Sequence, residues 1–131
     1  MKLALCTDVL ADLPFAAMLD KVKSYGIEGV EMTAGGWSPC PHVKTEELLS
    51  SPEKLEKFKQ ELAEREMRIV ALNCSGNPLA PGELGETHTK SSYRAVELAG
   101  KLGVKKIVMM SGLPGGGPED RVPNWITSTI S

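Results

Sequence analysis

Six residues are candidates for chemistry: Glu31, Trp37, Asn73, Ser75, His88 and Ser111. Each stands in or just past a short apolar run, or in the loop that follows one. Small polar groups at the carboxyl end of a buried strand are where α/β folds hold their substrates. Glu31 is a carboxylate between Val30 and Met32. It either lines a pocket, where it suits proton work, or points outward into a salt bridge. Asn73 and Ser75 follow the run Ile69-Val-Ala-Leu72, and Gly76, Asn77 and Pro78 come next. Those residue types are also the ordinary turn formers, so the stretch reads equally as a strand entering a turn. His88 is placed in a loop just ahead of a helix, where it either donates to a substrate oxygen or bonds locally. Trp37, in a polar loop, either stacks on a sugar ring or pins its own loop. Thr7 and Asp8 end the first apolar run and point to the same bowl. His42, in a Pro-bounded loop, is expected to be exposed.

Other chemistries lack their residues. Two isolated histidines with no His-x-x-x-His or carboxylate-x-His pairing predict no self-contained metal site. Cys74 alternates away from Asn73 and Ser75, which makes it a core thiol rather than a nucleophile. Gly112-Leu-Pro-Gly-Gly-Gly117 resembles a phosphate loop only in glycine content. It lacks the Lys-Ser/Thr ending, and Pro118, Glu119 and Asp120 remove an amide and add negative charge. It reads as a loop over the site.

The positioning elements follow from periodicity. Lys2–Thr7 is a first strand, and Pro14 suits a helix first turn. Phe15, Met18, Leu19 and Val22 then form one apolar helical face, closed by Gly26. Ile27–Met32 is the second strand, and a loop is predicted from Thr33 to about Ser50. Ser51-Pro52-Glu53 opens a helix whose buried face is Leu55, Phe58 and Leu62. The third strand ends at Asn73, and Pro81–His88 is expected to be loop. A helix from about Lys90 to Leu102 is capped by Gly103, and Lys106–Met110 is the fourth strand. Residues 111–131 are expected to be irregular.

The bulk composition is that of one soluble domain: 131 residues, 41% hydrophobic and 24% charged. A net charge of -2 with dispersed basic residues gives no reason to expect nucleic acid as a partner. No apolar stretch approaches the roughly 18 residues of a membrane span, so no membrane partner is expected. The N-terminus turns polar too quickly for a signal peptide. Three widely spaced cysteines without a Cys-x-x-Cys pair suit a reducing, cytoplasmic setting.

Tyr25-Gly-Ile-Glu-Gly-Val-Glu-Met32 and Leu102-Gly-Val-Lys-Lys-Ile-Val-Met109 repeat one phrase: helix end, glycine cap, apolar anchor, buried strand. Alternating βα order predicts parallel (β/α) units with right-handed crossovers. Four such units are the N-terminal half of a (β/α)8 barrel, which needs roughly 250 residues when complete. The rival is a small doubly wound open sheet. On the barrel reading, residues 1–131 are a single domain truncated after the fourth strand and its loop. A half-barrel with open edges would pair with another copy, so a homo-oligomer is expected.

Several phrases resemble the sugar phosphate isomerase/epimerase family of the xylose-isomerase-like TIM barrel superfamily. They are Lys2-Leu-Ala-Leu-Cys6, Tyr25–Met32, Ala71-Leu-Asn-Cys-Ser-Gly-Asn-Pro-Leu79, Ser111-Gly-Leu-Pro-Gly115 and Pro123-Asn-Trp-Ile126. The resemblance implies a small-molecule sugar substrate and proton transfer next to a keto-sugar carbonyl, with keto-sugar lyases and dehydratases as the alternative within the superfamily. It implies a divalent metal, Mn, Mg or Zn, held by residues of the later strands, which have no counterparts in this chain. The chain alone would then be inactive, or a small-molecule binding module. What carries over is the substrate half of the bowl: Glu31, Asn73, Ser75, His88 and Ser111. Endonuclease IV relatives place metal-binding histidines where Asn73 and Ser111 stand here, which argues against DNA repair.

Overall fold

The computed structural model describes residues 1–123. The order is β1 (Ala4–Cys6), a 3₁₀ turn (Thr7–Leu10), α1 (Phe15–Ser24), β2 (Gly29–Thr33), α2 (Thr45–Ser50), α3 (Pro52–Glu64), β3 (Arg68–Asn73), α4 (Glu83–Leu102) and β4 (Ile107–Val108). The strands form one parallel sheet in the order β1-β2-β3-β4. Strictly consecutive order with right-handed crossovers places every helix on the same face. A doubly wound sheet reverses its strand order at a switch point, and no reversal occurs among the described residues. The architecture is that of consecutive (β/α) units of a TIM barrel. The phrase ending at Ile126 and the tail after it lie outside the described residues.

Local chemistry accounts for the elements. Ser51 caps α3 by accepting the Lys54 amide on its hydroxyl (3.3 Å), with Pro52 in the first turn and Glu53 against the positive helix end. Gly26 (φ 71°) and Gly103 (φ 69°) leave α1 and α4 through left-handed backbone. The helices bury Met18, Leu19, Val22, Leu55, Phe58, Leu62, Ala95 and Leu98 against Val30, Met32 and Leu72 of the sheet. Phe15 stacks on Phe58 with ring centres 4.6 Å apart, joining α1 to α3. Each fully buried apolar side chain contributes about 1.5–3 kcal/mol of transfer free energy, so this single layer holds the sheet rigid behind its polar face.

Three expectations about elements are corrected. The stretch 33–50 is not all loop, because Thr45–Ser50 forms α2, with two acids, Glu46 and Glu47, in its first turn. Helix α4 begins at Glu83, not near Lys90, so His88 is helical rather than a loop residue. Strand β4 pairs over Ile107–Val108 only, leaving Met109 and Met110 outside the ladder.

The pairing of β2 with β3 contains one irregularity. Val30 faces Ile69 and the next residue, Glu31, faces Ala71, so Val70 is an extra residue in β3. Ile69 and Leu72 both pack against the helix layer although three positions apart. A regular strand alternates sides with period two and cannot do this. The bulge restores it, and it turns Ala71 and Asn73 to the side of the sheet away from the helices, where Glu31 and Thr33 are their partners.

Candidate functional site

The polar groups of that open face form connected hydrogen bonds. Asn73 Nδ2 donates to Glu31 Oε1 at 2.8 Å, and the Ser75 amide donates to Asn73 Oδ1 at 2.9 Å. The backbone donor decides which end of the Asn73 amide is oxygen, so the NH2 group must face the carboxylate. Glu31 is half-buried, and no cationic side chain pairs with it among the described residues. The outward salt bridge is therefore not formed, and one carboxylate oxygen keeps its acceptor capacity.

A second group fixes the loop after β2. Thr33 Oγ1 donates to Asp8 Oδ1 (2.6 Å) and Ser38 Oγ to Asp8 Oδ2 (2.7 Å). The Cys40 amide donates to Ser38 Oγ at 3.0 Å. Burial pushes the Cys40 thiol up, partly opposed by its bonds to Ser38 and Thr33. The loop lies across the tip of β3: the Ala34 amide bonds Asn73 O (2.8 Å) and the Trp37 amide bonds Ser75 O (2.9 Å). Gly36, at φ 80°, approaches so closely that a Cβ would collide with the Ser75 carbonyl. Its amide donates to Ser91 Oγ of α4 (3.2 Å).

The loop delivers Trp37 to His88. Their rings meet edge to face, centres 5.1 Å apart and planes at 88°. His88 is 4% exposed and Trp37 is 47% exposed. The Asn77 amide donates to His88 Nδ1 at 2.8 Å. An N–H on Nδ1 would point at another N–H, so the neutral ring carries its proton on Nε2.

The six candidates therefore divide. Glu31, Asn73, Trp37 and His88 are joined through the tips of β2 and β3. Ser75 joins them by its backbone amide and carbonyl. Ser111 is exposed and makes no hydrogen bond among the described residues. Thr7, expected at the bowl, is fully buried, and its hydroxyl meets His42 Nδ1 at 3.2 Å. His42 is 6% exposed rather than open to solvent, with Nε2 donating to Leu13 O at 3.0 Å, so it staples two loops together. Asn77, Ser38 and the role of Asp8 as anchor escape a reading of the sequence. Asn77 stands in Gly-Asn-Pro, which reads as an ordinary turn, and no local signal marks Ser38. Among the described residues no three His, Cys, Asp or Glu side chains converge as metal ligands. No helix among them is long and apolar enough to cross a membrane.

Comparison with known proteins agrees with this geometry. The chain is 58% identical over 131 residues to the uncharacterized protein YfiH of Bacillus subtilis (strain 168), and spans 42% of that protein's length. It superposes on a probable 3-DHS dehydratase, AsbF, involved in petrobactin synthesis in Bacillus anthracis, with a TM-score of 0.61 and 19% identity. That match covers 86% of this chain and 39% of the other. Protein SMc04130 of Sinorhizobium meliloti 1021 gives a TM-score of 0.56 at 21% identity, over 89% of this chain and 39% of that one. At these identities the two structural likenesses are likenesses of fold. The xylose isomerase-like TIM barrel family model matches residues 19–128, which is most of the chain. The chain belongs to the xylose isomerase-like TIM barrel family.

Proposed function

We propose that the tips of β2 and β3 form the substrate-contacting part of a sugar-processing active site. The substrate class is a polyhydroxylated keto-sugar. The reaction is proton transfer beside its carbonyl, as in isomerases and epimerases. The observation that carries this reading is the Glu31–Asn73 pair, 2.8 Å apart on the open face of the sheet. A half-buried carboxylate with one oxygen unpaired among the described residues accepts from a substrate hydroxyl, and a charge-assisted bond of this kind is worth about 1.5–3 kcal/mol. His88 supplies the opposite polarity, an Nε2–H for a carbonyl or hydroxyl oxygen. Trp37 offers a partly exposed ring to the C–H face of a sugar. Ser111 enters the site only if its loop closes over bound substrate. A divalent ion bound at this bowl would need ligands beyond the described residues, among which no three candidate side chains converge. Elimination by a lyase or dehydratase starts from the same proton removal and is distinguished by product.

Two further expectations belong with this reading. Exposed Val108, Met109 and Met110 at the end of the sheet support self-association, which light scattering reads. Three free cysteines support a reducing compartment.

The test has two arms. Binding is followed in ¹H–¹⁵N spectra of this chain during titration with ketohexoses and their phosphates, watching the Asn73 side-chain amide. Turnover is followed in the full-length protein, with and without manganese, as solvent deuterium entering the sugar and as loss of water from it. Perturbed Asn73 and Trp37 signals with deuterium uptake support the reading. Binding without exchange or elimination leaves a binding module and refutes the enzymatic part. No binding at the tips of β2 and β3 refutes the site.

A further inference from the structure

Asn77 is fully buried, in a loop between β3 and α4, yet every polar atom it owns is used. Its Oδ1 accepts from the Leu113 amide (2.8 Å) and the Leu79 amide (3.2 Å). Its Nδ2 donates to Leu113 O at 2.9 Å, and its backbone oxygen accepts from the Ala80 amide at 3.1 Å. Its backbone N–H is the one that meets His88 Nδ1. The side chain thus grips both polar groups of one residue in the loop after β4, as a neighbouring strand would. Gly112, just ahead of Leu113, has φ 82°, and a Cβ on it would stand 2.5 Å from Asn77 Oδ1. The loop after β4 must therefore present glycine at this point for the grip to close.

The other nitrogen of His88 is the significant one. Nε2 has no hydrogen bond among the described residues. It is not fully buried either, since every fully buried side-chain nitrogen and oxygen among them has a partner. A neutral imidazole owns one proton, and the Asn77 N–H needs the lone pair at Nδ1. We propose that Asn77 is a positioning residue: by gripping Leu113 it holds its backbone N–H on His88 Nδ1, and so keeps His88 in the single tautomer that presents Nε2–H to substrate. The seating of the loop after β4 and the polarity of His88 are then one event. This proposal rests on reading His88 as a substrate donor.

The experiment is a long-range ¹H–¹⁵N spectrum of the His88 ring in ¹⁵N-labelled protein, at a pH where the ring is neutral. It reads which nitrogen bears the proton. The wild-type protein is expected to show Nε2–H almost alone. Asn77→Ala and Gly112→Ala are each expected to lower the ratio of Nε2–H to Nδ1–H by about two- to twelvefold, the equilibrium worth of one neutral hydrogen bond. A folded Asn77→Ala with the wild-type ratio would make Asn77 a structural clamp and overturn the proposal. A shift in Asn77→Ala without one in Gly112→Ala would overturn the coupling to the loop. Should Asn77→Ala fail to fold, Asn77→Asp is read the same way, since it keeps both bonds accepted by Oδ1 and loses the one donated to Leu113. The sugar titration separates the two readings. An intact tautomer with no sugar bound refutes the substrate site alone, whereas a proven tautomer shift with unchanged sugar affinity refutes the role given to Asn77.

Discussion

Replacing Asn73 by Asp tests the central pair, because the change is nearly isosteric and reverses one polarity. In the wild-type protein the Asn73 amide donates to Glu31 at 2.8 Å, with its orientation set by the Ser75 amide. In Asn73→Asp an oxygen takes the place of that donor. Two unit charges 2.8 Å apart repel by about 6 kcal/mol at an effective dielectric constant of about 20, which suits a half-buried pair. The pair avoids most of this by retaining a proton. The cost at pH 7 is then capped by loading one proton onto a carboxyl of ordinary pKa, about three pH units at roughly 1.4 kcal/mol each, or about 4 kcal/mol. The O–H···O bond between the two carboxyls only replaces the N–H···O bond lost from Asn73, so the net loss stays at about 4 kcal/mol. The sign is fixed by linkage. One carboxyl of the variant pair titrates higher folded than unfolded, so its cost is absent below the unfolded value and grows as pH rises above it. Urea unfolding of both proteins at about pH 4, 5.5 and 7 measures this. Asn73→Ala is the control, with a loss of about 1–3 kcal/mol that varies little with pH. A loss in Asn73→Asp that is the same at the lowest and highest pH would refute the adjacency of residues 31 and 73.

Gly36→Ala is expected to cost about 1–3 kcal/mol, from left-handed backbone and the collision with the Ser75 carbonyl, and to shift the Trp37 fluorescence; thermal unfolding and emission spectra check it. Iodoacetamide should label exposed Cys6 first and Cys40 slowly, because burial pushes its thiol up, and Cys74, 2% exposed, only on unfolding; mass spectrometry of timed samples reads the order. Arg94 holds the Glu46 carboxyl below its ordinary value of 4.5, and Arg65 does the same to Asp20. Both carboxyls therefore stabilise the fold above the ordinary carboxylate range and lose that contribution as pH falls through their lowered values; Arg94→Gln should flatten the Glu46 part of an acid-unfolding curve.

The sheet and its helices are legible in the sequence because they rest on local signals. Gly26, Gly103 and Ser51-Pro52 punctuate the chain as their backbone chemistry requires, and the apolar spacing from Phe15 to Val22 has one helical solution. The misses arise where distant contacts decide. The first turns of α4 hold Gly85, Thr87 and Thr89, weak helix formers, and the helix forms because Gly85 packs against the Ala80 backbone and His88 is received by Asn77. The acids Glu83 and Glu86 were the available sign of an earlier start. His42 sits between prolines and reads as solvent-facing, but Thr7 and Leu13, roughly thirty residues away in sequence, supply its hydrogen bonds. Of the candidate site, Glu31 and Asn73 were legible as types. Their pairing was not, since the uninterrupted apolar run Ile69–Leu72 hides the bulge.

That bulge has a consequence for how β3 tolerates change. A strand is read in two phases, and Val70 is the one-letter insertion that shifts the phase between its halves. Deleting Val70 would merge the two halves into one regular alternation: Ile69 and Leu72, then two positions apart, keep the helix side, and Ala71 and Asn73 stay opposite Glu31 and Thr33. An added residue between Leu72 and Asn73 does the reverse and turns Asn73 into the helix layer. Position 70 is therefore where β3 should accept the loss of a residue, while its tip should reject any change in length.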